Sequence, residues 1–98
     1  MIIISKNIVE EYIRRNANAK VPLWEWYNKV TNAKWTCFRD MKETFNSVDY
    51  VGNNRYVFNV GGNRTRLIAI VEFEPSYVRI RKICTHAEYS KIKDIKNI

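Results

Sequence analysis

The spacing of apolar residues changes at Arg55, and this change limits the fold more than any other feature of the chain. From there apolar and polar residues alternate, which is typical of half-buried strands. Gly-Gly-Asn at residues 61–63 indicates a hairpin, because such turns need residues that tolerate positive φ. Pro75 suits the second position of a turn at residues 74–76. The second half of the chain is therefore predicted to form three antiparallel strands, at residues 55–60, 64–74 and 77–85.

Helical spacing dominates the first half of the chain. A β-branched run at residues 2–4 suits a short first strand. Two apolar stripes at helical spacing follow, which are Ile8, Val9, Tyr12 and Ile13, and then Leu23, Trp26, Tyr27 and Val30. Asn7 and Glu10 resemble a capping box for the first helix, and Pro22 is suited to the first turn of the second. We interpret the aromatic residues of the second stripe as core rather than as a ligand platform.

The predicted order of elements is β-α-α-β-β-β, with a short closing helix at residues 86–92. Residues 38–45 suit one or two helical turns, and residues 49–54 resemble a turn-rich entry to the strands. Helices grouped ahead of an antiparallel meander are typical of the α+β class. Ninety-eight residues are enough for one domain, over residues 1–98, in which two N-terminal helices pack on a small antiparallel sheet.

The charge of the chain is strongly positive and unevenly distributed. Seventeen Lys and Arg face 10 Asp and Glu, which gives a net charge of +7 and a pI near 9.6. Residues 55–86 carry six basic and two acidic side chains. Such a surface favours a polyanion, since neutralised phosphates release counterions. Charge alone fits a soluble basic protein equally well.

Alternation along the strands sorts the arginines onto one face. Residues 77, 79, 81, 83 and 85 are predicted to share a side, as are residues 64, 66, 68, 70, 72 and 74. Because these strands pair as hairpins, Arg64, Arg66, Arg79 and Arg81 are expected to converge. Arginines on an exposed face also serve solubility, but the planar guanidinium binds phosphate in a bidentate manner. We interpret this set as a phosphate-binding surface.

The cysteines and apolar runs predict a cytoplasmic protein without a metal site. Cys37 and Cys84 match no metal-ligand spacing, and two reduced thiols are favoured over a lone disulfide. The N-terminus lacks the pattern of a signal peptide. The longest apolar run, residues 67–71, is far shorter than the roughly 20 residues that a membrane span needs. No membrane partner and no cofactor are expected.

His86, the only histidine, stands just after the last basic strand. A lone histidine is most often structural, but the unperturbed pKa of an imidazole allows proton transfer near neutral pH. Tyr89 follows three residues later and would face the same cleft if a helical turn begins there. Tyr89 alone would be interpreted as packing.

Three stretches together resemble the HigB-type toxins of the RelE-like superfamily. They are RYVFNVGGN at residues 55–63, RLIA at residues 66–69, and IR at residues 80–81 leading into THAEY at residues 85–89. The resemblance implies an mRNA endonuclease, often acting on the ribosome. It also implies a small antitoxin partner with a helix-turn-helix DNA-binding domain that autoregulates the operon. The group of such toxins with several active-site histidines is not matched.

The resemblance assigns a catalytic role to four residues, which are Arg66, Arg81, His86 and Tyr89. Residues expected to contact RNA are Arg55, Asn63, Arg64, Arg79 and Lys82. The hypothesis for cleavage needs no metal, since the RNA's own 2′-OH attacks the adjacent phosphorus while Arg66 and Arg81 clamp the phosphate and His86 moves a proton. Two alternatives remain open at this point. They are a non-catalytic RNA- or ribosome-binding module and a gyrase-directed toxin of the same fold.

Overall fold

The computed structural model describes residues 1–62 and 64–98. Its elements, in chain order, are β1 (Ile2–Ile4), α1 (Lys6–Arg15), a 3-10 turn (Ala17–Ala19), α2 (Lys20–Thr31), α3 (Phe38–Thr44), β2 (Val48–Gly52), β3 (Arg55–Val60), β4 (Thr65–Glu72), β5 (Tyr77–Thr85), α4 (His86–Tyr89) and a second 3-10 turn (Ile95–Asn97). The predicted α+β class is confirmed, and so are both N-terminal helices and the three strands after residue 55.

The sheet has five described strands in the order β1-β5-β4-β3-β2 and is mixed. The prediction of an antiparallel sheet is wrong at one edge, because β1 pairs with β5 in parallel. The predicted element order also lacked one strand and left α3 undecided. Residues 49–54 were expected to form a turn-rich entry, but residues 48–52 form β2, which pairs with β3. Only Asn53 and Asn54, both at positive φ, make the turn between them.

The core lies between one face of the sheet and the helices. Leu23, Trp26 and Val30 are the buried residues of α2, as the helical stripe predicts. The ring of Phe58 on β3 is fully buried. Three rings surround it, with centroids 5.3 Å away for Trp26, 5.5 Å for Phe45 and 6.4 Å for Trp35. This aromatic cluster confirms the interpretation of the second stripe as core.

The start of α1 differs from its prediction. The helix begins at Lys6, and Ser5 precedes it with φ 76° and without a side-chain capping bond among the described residues. Asn7 therefore lies inside the first turn, and the capping box predicted from Asn7 and Glu10 is wrong. The position of Pro22 in the first turn of α2 is confirmed, since that helix begins two residues earlier.

Candidate functional site

Three rungs of paired residues line the face of the sheet opposite the helices. Directly paired residues of antiparallel strands point to the same side, so each rung presents one side chain from each of β3, β4 and β5. The rungs are Arg55–Ile70–Arg79, Val57–Ile68–Lys82 and Asn59–Arg66–Cys84. We call this surface the arginine face.

A β-bulge in β5 changes which residues reach this face. Ala69 pairs with Ile80 and Ile68 pairs with Lys82, so Arg81 is an extra residue without a partner in the β4–β5 pairing. The alternation predicted for residues 77–85 is therefore wrong beyond Ile80. Ile83 turns back into the helix-side core, and Lys82 takes the place on the arginine face that strict alternation gives to Arg81.

The third rung carries a compact cluster of side chains, made of Arg66, His86 and Tyr89. Nη2 of Arg66 lies 2.9 Å from Nδ1 of His86. The guanidinium carbon of the same arginine lies 5.7 Å from the centre of the Tyr89 ring. Arg66 is only 7% exposed, whereas His86 is exposed. The structure therefore brings together three of the four residues predicted to be catalytic.

The contact between Arg66 and His86 fixes the tautomer of the imidazole. A guanidinium has only donors, so Nδ1 must accept, and a neutral ring then carries its proton on Nε2. The lone pair that could take a proton from a substrate hydroxyl is thus occupied by Arg66 in this arrangement. The main chain holds the histidine as well, since its N–H donates to the carbonyl of Arg64 at 3.2 Å.

A capping box sets the position of the helix that carries His86 and Tyr89. The Thr85 hydroxyl accepts from the Glu88 N–H at 3.1 Å, and the Glu88 carboxylate accepts from the Thr85 N–H at 2.8 Å. The hydrogen bond from the Thr85 N–H lowers the pKa of the Glu88 carboxyl group most, and the Thr85 side chain lowers it further. The sequence contains the signal for this capping box, Thr-x-x-Glu at residues 85–88. The prediction of a closing helix at residues 86–92 does not use it. Thr85 and Glu88 orient the site without belonging to its reacting groups.

The fourth predicted catalytic residue lies elsewhere on the arginine face. Nε of Arg81 donates to the main-chain oxygen of Ile98 at 3.1 Å, and Nη2 of Arg55 donates to the same oxygen at 2.8 Å. The two guanidinium groups meet at that oxygen, across the intervening strand β4. The clamp on one phosphate by Arg66 and Arg81 stays a prediction.

The other residues expected to contact RNA divide between the two sides of the sheet. Arg79 is half-buried with its guanidinium carbon 5.9 Å from the Tyr77 ring, and Lys82 is exposed. Arg64 does not join the arginine face, since it lines a cavity of about 190 Å³ beside Tyr12. Asn63 lies outside the described residues.

Both cysteines are free thiols. Cys84 is buried in the third rung beside Arg66, and its burial raises the pKa of the thiol. Cys37 is half-buried at the start of α3. Within the described part of the chain, no three His, Cys, Asp or Glu side chains are grouped closely enough to hold a metal ion. None of the described helices has the length and apolar character of a membrane span.

Comparison with known families identifies the chain. The family of HigB toxins, the RelE-like toxic component of a toxin–antitoxin system, matches residues 19–92. The chain belongs to the HigB toxin family. The family resemblance inferred from residues 55–89 is thereby confirmed. The matched range includes the Arg66–His86–Tyr89 cluster and ends just before the segment that contacts Arg55 and Arg81.

Several HigB proteins resemble the chain over nearly its full length. The mRNA interferase HigB of Escherichia coli O6:H1 is 33% identical over 94 residues, which cover 94% of this chain and 91% of the relative. The mRNA interferase toxin HigB of Escherichia coli K12 is 32% identical over 92 residues, covering 91% and 88%. The mRNA interferase HigB of Shigella flexneri has the same identity and coverage.

Proposed function

We propose that this HigB-family toxin is an endoribonuclease that cleaves mRNA and thereby stops translation. The observation that carries the proposal is the contact between Arg66 and His86, on a basic face, in a family whose relatives are named mRNA interferases. A permanently charged donor beside an imidazole supplies both electrostatic stabilisation and proton transfer. The mRNA substrate implies a cytoplasmic site of action.

The proposed reaction uses the RNA's own 2′-OH and needs no metal. The O2′–P bond forms while the P–O5′ bond breaks, which leaves a 2′,3′-cyclic phosphate and a 5′-OH. One proton leaves the 2′-OH, and one is delivered to the departing 5′-oxygen. Arg66 stabilises the charge that develops on the phosphate oxygens, and His86 takes or gives a proton. Tyr89 supports the guanidinium from its ring face and offers a surface on which a base can stack.

RNA binding must separate Arg66 from His86 before the histidine can act as a base. While Nδ1 accepts from the guanidinium, its lone pair is not available to the 2′-OH. A phosphate is a stronger partner for a guanidinium than a neutral imidazole, because both partners are then charged. We therefore expect the scissile phosphate to draw Arg66 away and to release Nδ1 in the same step.

Two partners follow from the proposed function. An antitoxin with a helix-turn-helix domain would neutralise the toxin, and an acidic segment crossing the arginine face would suit the charge of that face. The ribosome would present the mRNA, as the family resemblance implies. Both partners are testable by co-purification of the toxin with the product of an adjacent reading frame and by sedimentation with ribosomes.

Brief induction in bacteria, followed by mapping of RNA 5′ ends and DNA breaks, tests the proposed activity. Wild type should generate new mRNA 5′ ends, and Arg66→Ala and His86→Ala should not. Arg39→Ala, which removes an exposed arginine from α3, is the matched control and should cleave like wild type. DNA breaks without new mRNA 5′ ends would favour a gyrase-directed toxin. Association with ribosomes without cleavage of mRNA would favour a non-catalytic binding module. Cleavage by the purified toxin in EDTA checks the independence from metal.

A further inference from the structure

We propose that Arg55 and Arg81 form a second phosphate-binding site, which the chain's own residues 94–98 cover until RNA displaces them. The two guanidinium groups approach one acceptor, the main-chain oxygen of Ile98, at 2.8 Å and 3.1 Å. Arg55 belongs to β3 and Arg81 to β5. An oxygen within hydrogen-bond distance of both must therefore lie above β4, in the middle of the arginine face.

The covering segment is held by few contacts. The Asn53 amide donates to the Lys96 carbonyl at 3.0 Å, and the Lys96 side chain passes close to Gly52. Residues 94, 96 and 97 are exposed. The segment therefore lies on the surface, where a ligand can compete with it.

The arginines have more donors than their present partner can satisfy. A single main-chain oxygen, that of Ile98, serves both guanidinium groups here. Nε of Arg55 is buried and has no hydrogen-bond partner among the described residues. A phosphate could accept from Nε and Nη2 of Arg55 together and also from Arg81, because it carries several oxygens and a full charge. Exchange of the Ile98 oxygen for a phosphate would thus satisfy more donors.

The surrounding charges favour RNA over an acidic peptide as the occupant. The covering segment, residues 94–98, carries one basic and one acidic side chain, Lys96 and Asp94, so its side chains do not neutralise the basic face. The first and third rungs are four residues apart along β4, or about 13 Å at about 3.3 Å per residue. A strand with regularly spaced phosphates can therefore contact Arg55 and Arg81 at one end while another phosphate meets Arg66. This inference rests on the proposed function only in taking RNA as the ligand.

The first test measures binding of the intact chain to a short oligonucleotide with 2′-O-methyl riboses, which has no free 2′-OH to react. Arg55→Ala and Arg81→Ala should each lower the slope of log affinity against log salt by about one, the value for one lost phosphate contact. The control Arg39→Ala, outside the arginine face, should leave the slope closer to wild type. Equal slopes in wild type and both face variants would overturn the proposal.

The second test loosens the segment without replacing either arginine, and it keeps the Asn53 carbonyl that accepts from Nη1 of Arg55 at 3.0 Å. Asn53→Gly removes the amide that holds Lys96, and glycine tolerates the φ of 49° at this position. We expect the oligonucleotide to bind about two- to tenfold more tightly, the equivalent of one hydrogen bond of about 0.5–1.5 kcal/mol. Asn54→Gly is the matched control, since Asn54 also has positive φ but bonds to Glu72. A gain in both variants, or in neither, contradicts displacement of the segment.

The third test follows the segment itself by NMR. In the free protein the backbone order parameters of residues 95–97 should be near about 0.85, and bound oligonucleotide should lower them toward about 0.6. Order parameters of residues 95–97 that do not change when the oligonucleotide binds would overturn the proposal. Order parameters that fall with polyglutamate but not with the oligonucleotide would overturn it as well. A chain that binds in this way without cleaving mRNA would disprove only the endonuclease. If mRNA cleavage depends on Arg66 but Arg55→Ala and Arg81→Ala do not change oligonucleotide binding, only the second site is disproved.

Discussion

The two faces of the sheet follow different rules. On the helix side, burial alone decides where a residue points, and Phe58, Leu67 and Ile80 are all fully buried there. On the arginine face, the positions of the functional side chains depend on three local features. These are the bulge at Arg81, the helix cap of Thr85 and Glu88, and the segment of residues 94–98. The comparison indicates that the helix side of the sheet determines stability, while the arginine face determines chemistry. Four substitutions test this division, from the largest expected effect to the smallest.

His86→Ala should lower the rate of RNA cleavage by about 10²–10⁴-fold, the usual contribution of a general acid–base residue. The side chain is exposed, so the free energy of unfolding should change by less than about 0.5 kcal/mol. Single-turnover cleavage and urea unfolding of the same preparation measure both quantities. Asn28→Ala, at an exposed position of α2, serves as the control. A wild-type rate in His86→Ala would remove the histidine from the mechanism.

Phe58→Ala should do the reverse and lower the free energy of unfolding by about 3–5 kcal/mol. The ring is enclosed by Trp26, Trp35 and Phe45, so its removal leaves a cavity that neighbouring rings cannot easily fill. Urea unfolding measures the loss. Tyr50→Ala, which removes a 51% exposed aromatic side chain, should cost far less. Similar losses for the two variants would mean that the helix side is not the main source of stability.

Thr85→Ala lies at the boundary between the two faces, because it removes the cap that positions α4. The expected cost is about 1 kcal/mol of stability, together with a loss of cleavage rate that Thr85→Ser should restore. Serine keeps the hydroxyl that accepts from the Glu88 N–H. Rate loss in both variants would show that the methyl group, and not the cap, is what matters at this position.

Glu88→Gln gives the smallest effect and predicts a dependence on pH. Hydrogen bonds from Thr85 hold the pKa of Glu88 below its ordinary value. A group with a lowered pKa in the folded state stabilises the protein above its unfolded pKa, about 4.3 for glutamate. That contribution is lost as the pH falls through the folded value. Urea midpoints at pH 7, 5 and 3 should therefore converge for wild type and Glu88→Gln only at the acid end.

The sequence allowed more of the helix side to be predicted than of the arginine face, for a physical reason. Helical and alternating patterns record burial, so the apolar stripe of α2 and the core positions of β4 could be identified. The pairing of β1 with β5 depends on contacts distant in sequence, which no local pattern contains. The cluster of Arg66, His86 and Tyr89 came from the family resemblance. The bulge at Arg81 could not be foreseen, since an extra residue leaves the local composition of a strand unchanged.

The bulge also makes Arg81 a removable insertion. Without it, Ile80 would be followed directly by Lys82, and these two residues already pair with the consecutive residues Ala69 and Ile68. A chain with this single deletion would therefore keep every other side chain of β5 on its present side of the sheet. Deletions in strands normally invert all the residues that follow. Evolution can thus add or remove this one guanidinium from the arginine face without redesigning the fold, and HigB proteins that differ in length at this point are expected to differ in little else.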